Sequence, residues 1–270
     1  MLFRSNHPEH GLIPPDDFVH VAEQSGLITE LTDFVLDAAL AQCEAWRIAG
    51  HDLTVAVNVS PFNLIDGSFA KRVEHRLIEH RVSPERLVLE ITESGMLELQ
   101  QVLALLDQLS AMGIALSVDD FGTGYSSLSY LHALPVAEVK VDRSFVIPMA
   151  AGKGDVGVVR AIVDLGHNLG LRVVAEGVED RFTWDELAAL GCDLVQGWFI
   201  CRALPAEELT PWLEAWDPQV VAPWPPLGLA TPGWEPTRTG RVASQASETH
   251  EPEDSRDDDR AIRLDHQRGR

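Results

Sequence analysis

Six polar residues, Asn58, Glu90, Asp119, Lys140, Glu176 and Gln196, sit inside or at the ends of short runs that are otherwise apolar and β-branched. Val57 and Val59 flank Asn58, Leu89 and Ile91 flank Glu90, and Val139 and Val141 flank Lys140. Val118, Ala175 and Val195 precede Asp119, Glu176 and Gln196. Successive side chains on a strand point to opposite faces, so apolar neighbours that meet covering helices leave all six polar groups on the other face. Carboxylates gathered in a dry interior are costly without partners, and Lys140 alone cannot balance three or four of them. Oxygen donors from Asn, Asp and Glu, with no Cys and no clustered His, suit hard cations such as Mg²⁺ or Mn²⁺. Adjacent Asp119 and Asp120 could serve two ions, the arrangement used for in-line phosphoryl displacement. Any one of these residues could instead cap a helix or make a turn. Six in matching positions read as one constellation.

The elements that must carry them alternate along residues 1–216. Strand-like runs are expected at 54–60, 86–92, 115–120, 138–145, 172–179 and 194–200. Helical patterns are expected at 16–25, 32–49, 63–80, 96–112, 155–169, 181–190 and 206–216. Gly50, Gly113, Gly170 and Gly191 follow helices, where a left-handed cap favours glycine. Alternation of this kind predicts an α/β fold, a parallel sheet with helices outside. Six strands suit an open doubly wound sheet, whereas a closed (β/α)₈ barrel needs eight. In a barrel, the six polar residues lie toward the C-terminal ends of their strands, where such enzymes place their sites.

After Asp119 and Asp120 the chain runs into Phe121, Gly122, Thr123 and Gly124, a glycine-containing turn able to order a site. Glu93, three residues beyond Glu90, is placed to brace that loop by accepting backbone N–H bonds. Glu179, three beyond Glu176, is placed for similar supporting work. Both are read as exposed-loop residues. His7 and His10 are read as turn residues rather than a metal pair, and His167 as a packed or capping residue. Trp46, Trp184, Trp198 and Trp212 are read as helix–barrel packing.

The chain has 42 acidic against 21 basic residues, a net charge of −21, which disfavours polymeric nucleic acid and anionic lipid. A small phosphate-bearing ligand remains compatible if divalent cations supply positive charge. No stretch reads as a membrane helix or a signal peptide. Cys43, Cys192 and Cys201 share no CxxC spacing, which fits reduced thiols in a cytoplasm. Residues 217–270 are proline-rich and then densely charged, with Trp224 and Trp234 interspersed, and are expected to form a disordered tail.

Several stretches together resemble the EAL-domain family. They are HPEHGLIPP at residues 7–15, VNVS at 57–60, LEITES at 89–94, DDFGTGYSSL at 119–128, VKVDRSF at 139–145, VAEGVE at 174–179 and VQGW at 195–198. The resemblance spans residues 1–216 and implies a modified TIM barrel that hydrolyses cyclic di-GMP to linear pGpG with two Mg²⁺ or Mn²⁺ ions. Carried across, Asn58, Glu90, Asp119 and Asp120 look like metal ligands, and Lys140 like the group that holds or polarises the attacking water. Glu176 looks like a metal or water ligand and general base, Gln196 like a site-lining residue, and Arg4 like a substrate-phosphate ligand. A homodimer is a family expectation as well.

The resemblance also carries departures. Leu2 and Arg4 fit the family pattern Glu-Ala-Leu-Leu-Arg, but its glutamate falls immediately before Met1, and Ser5 replaces an aromatic. The family's first strand and most of its second precede Met1 too, so an incomplete barrel and an upstream extension of the reading frame are expected. Cys201 and Ala203 stand where the family usually has Gly and Pro. A phosphodiesterase is the first reading. A cyclic di-GMP receptor or protein-interaction module without turnover is the alternative.

Overall fold

The computed structural model describes residues 5–7, 9, 11–93, 102–124, 131–151 and 156–215. Strands β1 (Ser5–His7) and β2 (Gly11–Ile13) form a small antiparallel pair, followed by helices α1 (Pro15–Ser25) and α2 (Ile28–Ile48). From there strands and helices alternate: β3 (Val55–Asn58), α3 (Pro61–Ile65), α4 (Phe69–His80), β4 (Leu87–Thr92), α5 (Leu103–Ala111), β5 (Ala115–Phe121) and β6 (Glu138–Val141). The chain continues through α6 (Arg143–Val146), α7 (Val156–Asn168), β7 (Arg172–Glu176), α8 (Arg181–Leu190), β8 (Leu194–Gln196) and α9 (Ala206–Ala215).

Strands β3 to β8 form one parallel sheet whose spatial order is their order in the chain. A doubly wound sheet would reverse its order at a switch point. The observed order is that of a (β/α) barrel wall, here six strands of an incomplete barrel. One face of these strands is apolar and sealed by helices: Leu87, Leu89 and Ile91 of β4, Leu116 and Val118 of β5, Val139 and Val141 of β6, Val173 and Ala175 of β7. Against them pack Phe69 and Val73 of α4, Leu106 and Leu109 of α5, Val159 and Val163 of α7 and Leu187 of α8.

Several boundaries differ from the sequence expectation, each for a local reason. The single helix expected at 63–80 is two, because Asp66 leaves the helical region (ψ 105°) and its carboxylate accepts from the Ser68 N–H at 2.9 Å. The strand expected to reach residue 145 stops at Val141, because Asp142 caps α6, accepting from Ser144 N at 2.9 Å. The strand expected to reach 179 stops at Glu176, where Gly177 turns the chain at φ 75°. The expected caps Gly50, Gly113, Gly170 and Gly191 all adopt positive φ, between 75° and 95°. Residues 96–101 of the helix expected at 96–112, Trp216, and the expected tail 217–270 with Trp224 and Trp234 lie outside the described residues, as do Arg4 and His10.

An ion network joins α2 to α4. Arg72 contacts Asp33 at 3.2 Å and closely contacts Asp66; Arg76 reaches Asp33 and Asp37, each at 3.1 Å; His80 reaches Asp37 at 3.2 Å. The Asp66 carboxyl, bonded by Ser68 and then by Arg72, is held down at about 2. A carboxylate with a depressed folded value stabilises the fold above its unfolded value and loses that contribution as pH falls through the folded one. We therefore expect urea midpoints to drop between about pH 4 and pH 2, and Arg72→Met to flatten part of that drop. An unchanged acid profile in Arg72→Met would show that the network contributes nothing to it.

Candidate metal centre at the C-terminal rim

Parallel register brings the six polar residues of the sequence constellation to one end of the sheet. Asn58 pairs with Glu90, Thr92 with Asp119, Lys140 with Val174, and Glu176 with Gln196. At the centre lies Lys140, only 4% exposed. Its Nζ contacts Glu176 Oε1 at 2.6 Å, Asp119 Oδ1 at 3.0 Å and Glu90 Oε1 at 3.1 Å. Three strands thus aim carboxylates at an ammonium delivered by a fourth.

Asp120 joins them through a break in strand regularity. On an ideal strand two consecutive side chains point apart. Here the β5–β6 register shifts between Val118 and Phe121, and Asp120 adopts the left-handed region at φ 55°. Aspartate tolerates that region better than most residues, and a bulge is a recurrent way to re-aim a side chain. Carboxylate oxygens of Asp119, Asp120 and Glu176 consequently lie within 4.8 Å of one another. The Asp120 N–H also donates to Asp119 Oδ1 at 3.0 Å.

Burial raises the Glu90 carboxyl above the ordinary glutamate value, opposed by Lys140 and reinforced by Asp119. The Glu176 carboxyl is likewise raised by burial against the pull of Lys140. Asp120 is raised by burial and by Asp119. Burial alone would depress Lys140, but Glu90, Glu176 and Asp119 outweigh it and hold the ammonium protonated. Four carboxylates against one ammonium leave a strong excess of negative charge. The converging donors are all oxygen, the chemistry of a hard divalent cation.

Asn58 and Gln196 end the outer strands β3 and β8, and both are exposed. The uniformly dry interior expected from sequence is therefore confined to β4–β7. Among the described residues no strand continues the sheet beyond β3 or β8 to cover their inner faces.

Glu93 departs from expectation in the opposite sense. It is buried rather than loop-exposed, and its Oε2 accepts from Gly122 N at 2.8 Å and Gly124 N at 3.4 Å. It fastens the turn after Asp120 to the end of β4. Glu179 is exposed. His167 is half-exposed and bonded to Asp193 at 2.9 Å, rather than packed. Trp46 and Trp184 are buried as expected, but Trp198 is 60% exposed, which overturns the packing assignment for it.

One layer below the carboxylates lies a polar group that the sequence reading missed. Glu138 is buried, accepts from Ser117 Oγ at 2.9 Å and sits 3.5 Å from Arg172. Ser117 and Glu138 each precede a constellation residue by two, and Arg172 precedes Glu176 by four, so extending the period-two rule one step back would have found them. Burial raises the Glu138 carboxyl, with Arg172 and Ser117 opposing. The folded state thus holds this proton more tightly than the unfolded chain, and stability falls as pH rises from the ordinary glutamate value through the folded one. Glu138→Gln is expected to lose that dependence, so that its stability relative to the parent is higher at pH 8 than at pH 4. Chemical unfolding at pH 4 and pH 8 measures it, and equal gaps at both would refute the burial account.

The fold and this centre define a (β/α)-barrel protein with an acidic, lysine-bridged cluster at its strand ends. The family model for the EAL domain matches residues 1–203, and the chain belongs to the EAL-domain family. It is 45% identical over 210 residues to the bifunctional diguanylate cyclase/cyclic di-GMP phosphodiesterase MucR of Pseudomonas aeruginosa, covering 77% of this chain and 31% of MucR. It is 41% identical over 231 residues to the cyclic di-GMP phosphodiesterase NbdA of the same species, covering 85% of this chain and 30% of NbdA. The chain thus spans less than a third of these relatives. Among solved structures, the MucR phosphodiesterase in complex with c-di-GMP superposes with a TM-score of 0.73 at 44% identity, covering 77% of this chain and 85% of that one. An EAL-domain protein of Listeria monocytogenes superposes with a TM-score of 0.68 at 32% identity, covering 78% and 83%.

Proposed function

We propose that this chain carries the hydrolytic centre of a bacterial cyclic di-GMP phosphodiesterase, opening the cyclic dinucleotide to linear pGpG. The observation that carries the reading is the convergence of Asp119, Asp120 and Glu176 oxygens within 4.8 Å beside a buried lysine. Asn58, Glu90, Asp119 and Asp120, with Glu176 beside them, are the residues that would hold two Mg²⁺ or Mn²⁺ ions. Such ions, when bound, supply charge neutralisation to the phosphate and a more acidic water.

The protein's own groups do the rest. Lys140, kept protonated by three carboxylates, holds its positive charge beside the attacking water and polarises it. Glu176, whose carboxyl burial raises above the ordinary glutamate value, accepts the water proton as a carboxylate. The water oxygen bonds to phosphorus as the bond to the ribose 3′ oxygen breaks, and that oxygen takes a proton from solvent water to leave as a hydroxyl. Arg4 and Gln196 contact the substrate, and Glu93 holds the Gly122–Gly124 turn against the centre. Glu179 is assigned a supporting role beside Glu176.

The proposal extends to setting. The net charge of −21 argues against polymeric nucleic acid as substrate. Among the described residues no helix is long and apolar enough to cross a membrane. Free Cys43, Cys192 and Cys201 fit a reducing cytoplasm. A homodimer, testable by light scattering, belongs to the same reading.

Purified chain incubated with cyclic di-GMP and Mg²⁺ or Mn²⁺ should yield pGpG by chromatography, and chelator should stop it. Calorimetric binding in Ca²⁺ without turnover in Mg²⁺ or Mn²⁺ would replace the enzyme with a receptor. Neither binding nor turnover would overturn both.

A further inference from the structure

Trp198 lies two residues beyond Gln196, whose strand partner is Glu176. Two residues of chain span at most about 7 Å, so the backbone at Trp198 stands on the same rim as the carboxylate centre. The segment bearing it is firmly held. Val178 N donates to Gln196 O at 3.1 Å, Phe199 N donates back to Val178 O at 2.9 Å, and Ile200 N closes a turn onto Gly197 O at 3.1 Å. Phe199 turns outward and meets the buried Trp184, ring centres 5.9 Å apart. Trp198, one residue earlier, stays in solvent. The Arg202 guanidinium lies 4.9 Å from its ring centre.

A large exposed indole on a fixed turn needs an explanation, because Trp46 and Trp184 of the same chain are buried. A guanidinium over one face keeps the ring oriented and leaves the other face open. An oriented open aromatic face is a platform for a nucleobase, since every base presents a π-face of matching size. Arg202 adds positive charge to a rim whose four carboxylates are opposed by the Lys140 ammonium, which favours a phosphate-bearing ligand there.

We infer that Trp198, oriented by Arg202, is the stacking platform for one guanine base of the substrate, a specificity-determining residue on the rim of the centre. The inference rests on the cyclic di-GMP reading above. Stacking accounts for affinity for a purine dinucleotide rather than for a simple phosphodiester, because the latter offers no base to the indole.

The test is calorimetric titration of the full chain with cyclic di-GMP in Ca²⁺, comparing the parent with Trp198→Ala, Trp198→Phe and Arg202→Ala. We expect Trp198→Ala to weaken binding about 10-fold or more, Trp198→Phe to stay within about threefold, and Arg202→Ala to fall between them. Thermal midpoints should stay close to that of the parent in all three, because both side chains are exposed. Parent-like affinity in Trp198→Ala would overturn the platform and leave the proposed function standing. Equal losses in the Ala and Phe variants would also overturn it, since a phenyl ring still stacks. Absence of binding by the parent would remove the cyclic di-GMP reading and this inference with it.

Discussion

Lys140→Met should abolish turnover of cyclic di-GMP, by about 10²–10⁴-fold, while also weakening the fold. Among the described residues the lysine is the one cation within 3.1 Å of Glu90, Asp119 and Glu176, and each of those carboxylates is largely removed from water. Deleting one partner of a buried ion cluster leaves uncompensated charge, which costs about 3–5 kcal/mol; rim access to water places the expectation near the lower figure. Urea unfolding in chelator should show that loss, and added Mn²⁺ should recover more stability in the variant than in the parent, because it binds the folded carboxylates and not the unfolded chain. A variant as stable as the parent in chelator would mean the three contacts hold no charge in place. A variant that still forms pGpG at the parent rate would remove Lys140 from the chemistry.

Gly197→Ala is expected to be the most damaging single-methyl change in the described chain. A Cβ at this position would sit 2.1 Å from Val178 O and 2.3 Å from Val178 N. These are backbone atoms, already bonded to Gln196 and Phe199, so neither can swing aside. Overpacking of this kind typically costs 1–3 kcal/mol, and a clash with backbone belongs at about 3 kcal/mol. For a domain of this size that is a fall of about 6–12 °C in thermal midpoint. The change also separates the turns after β7 and β8, so affinity for cyclic di-GMP should fall alongside. A midpoint within about 1 °C of the parent would show that the two turns move independently.

How much of this was legible beforehand depends on the kind of signal. The six-strand parallel sheet followed from alternation of texture, and all six polar positions followed from their apolar neighbours, because period two is a rule of the backbone. Strand ends were overextended wherever a cap intervened: Asp142 and Gly177 stop their strands through local hydrogen bonding and backbone angle, which composition does not display. The placement of Asp120 beside Asp119 was legible as adjacency but not as geometry, since it needs a register shift against β6. Spacing points to the acceptor role of Glu93, yet its burial depends on the Gly122–Gly124 turn folding over it. Trp198 reads as packing because an indole in a mostly apolar run reads as core. Its exposure follows from Phe199 taking the place against Trp184 instead.

The fall of burial from the middle strands to the outer ones has a consequence for motion. Amides of β4 to β7 lie between sealed helices and a charged, tightly bonded interior, whereas β3 and β8 present exposed residues on their inner faces. Deuterium should therefore enter Val55–Asn58 and Leu194–Gln196 first and the four central strands last, near the rate of global opening. The groups assigned to chemistry would then be split between a slow-breathing block carrying Glu90, Asp119, Lys140 and Glu176, and two faster flanks carrying Asn58 and Gln196.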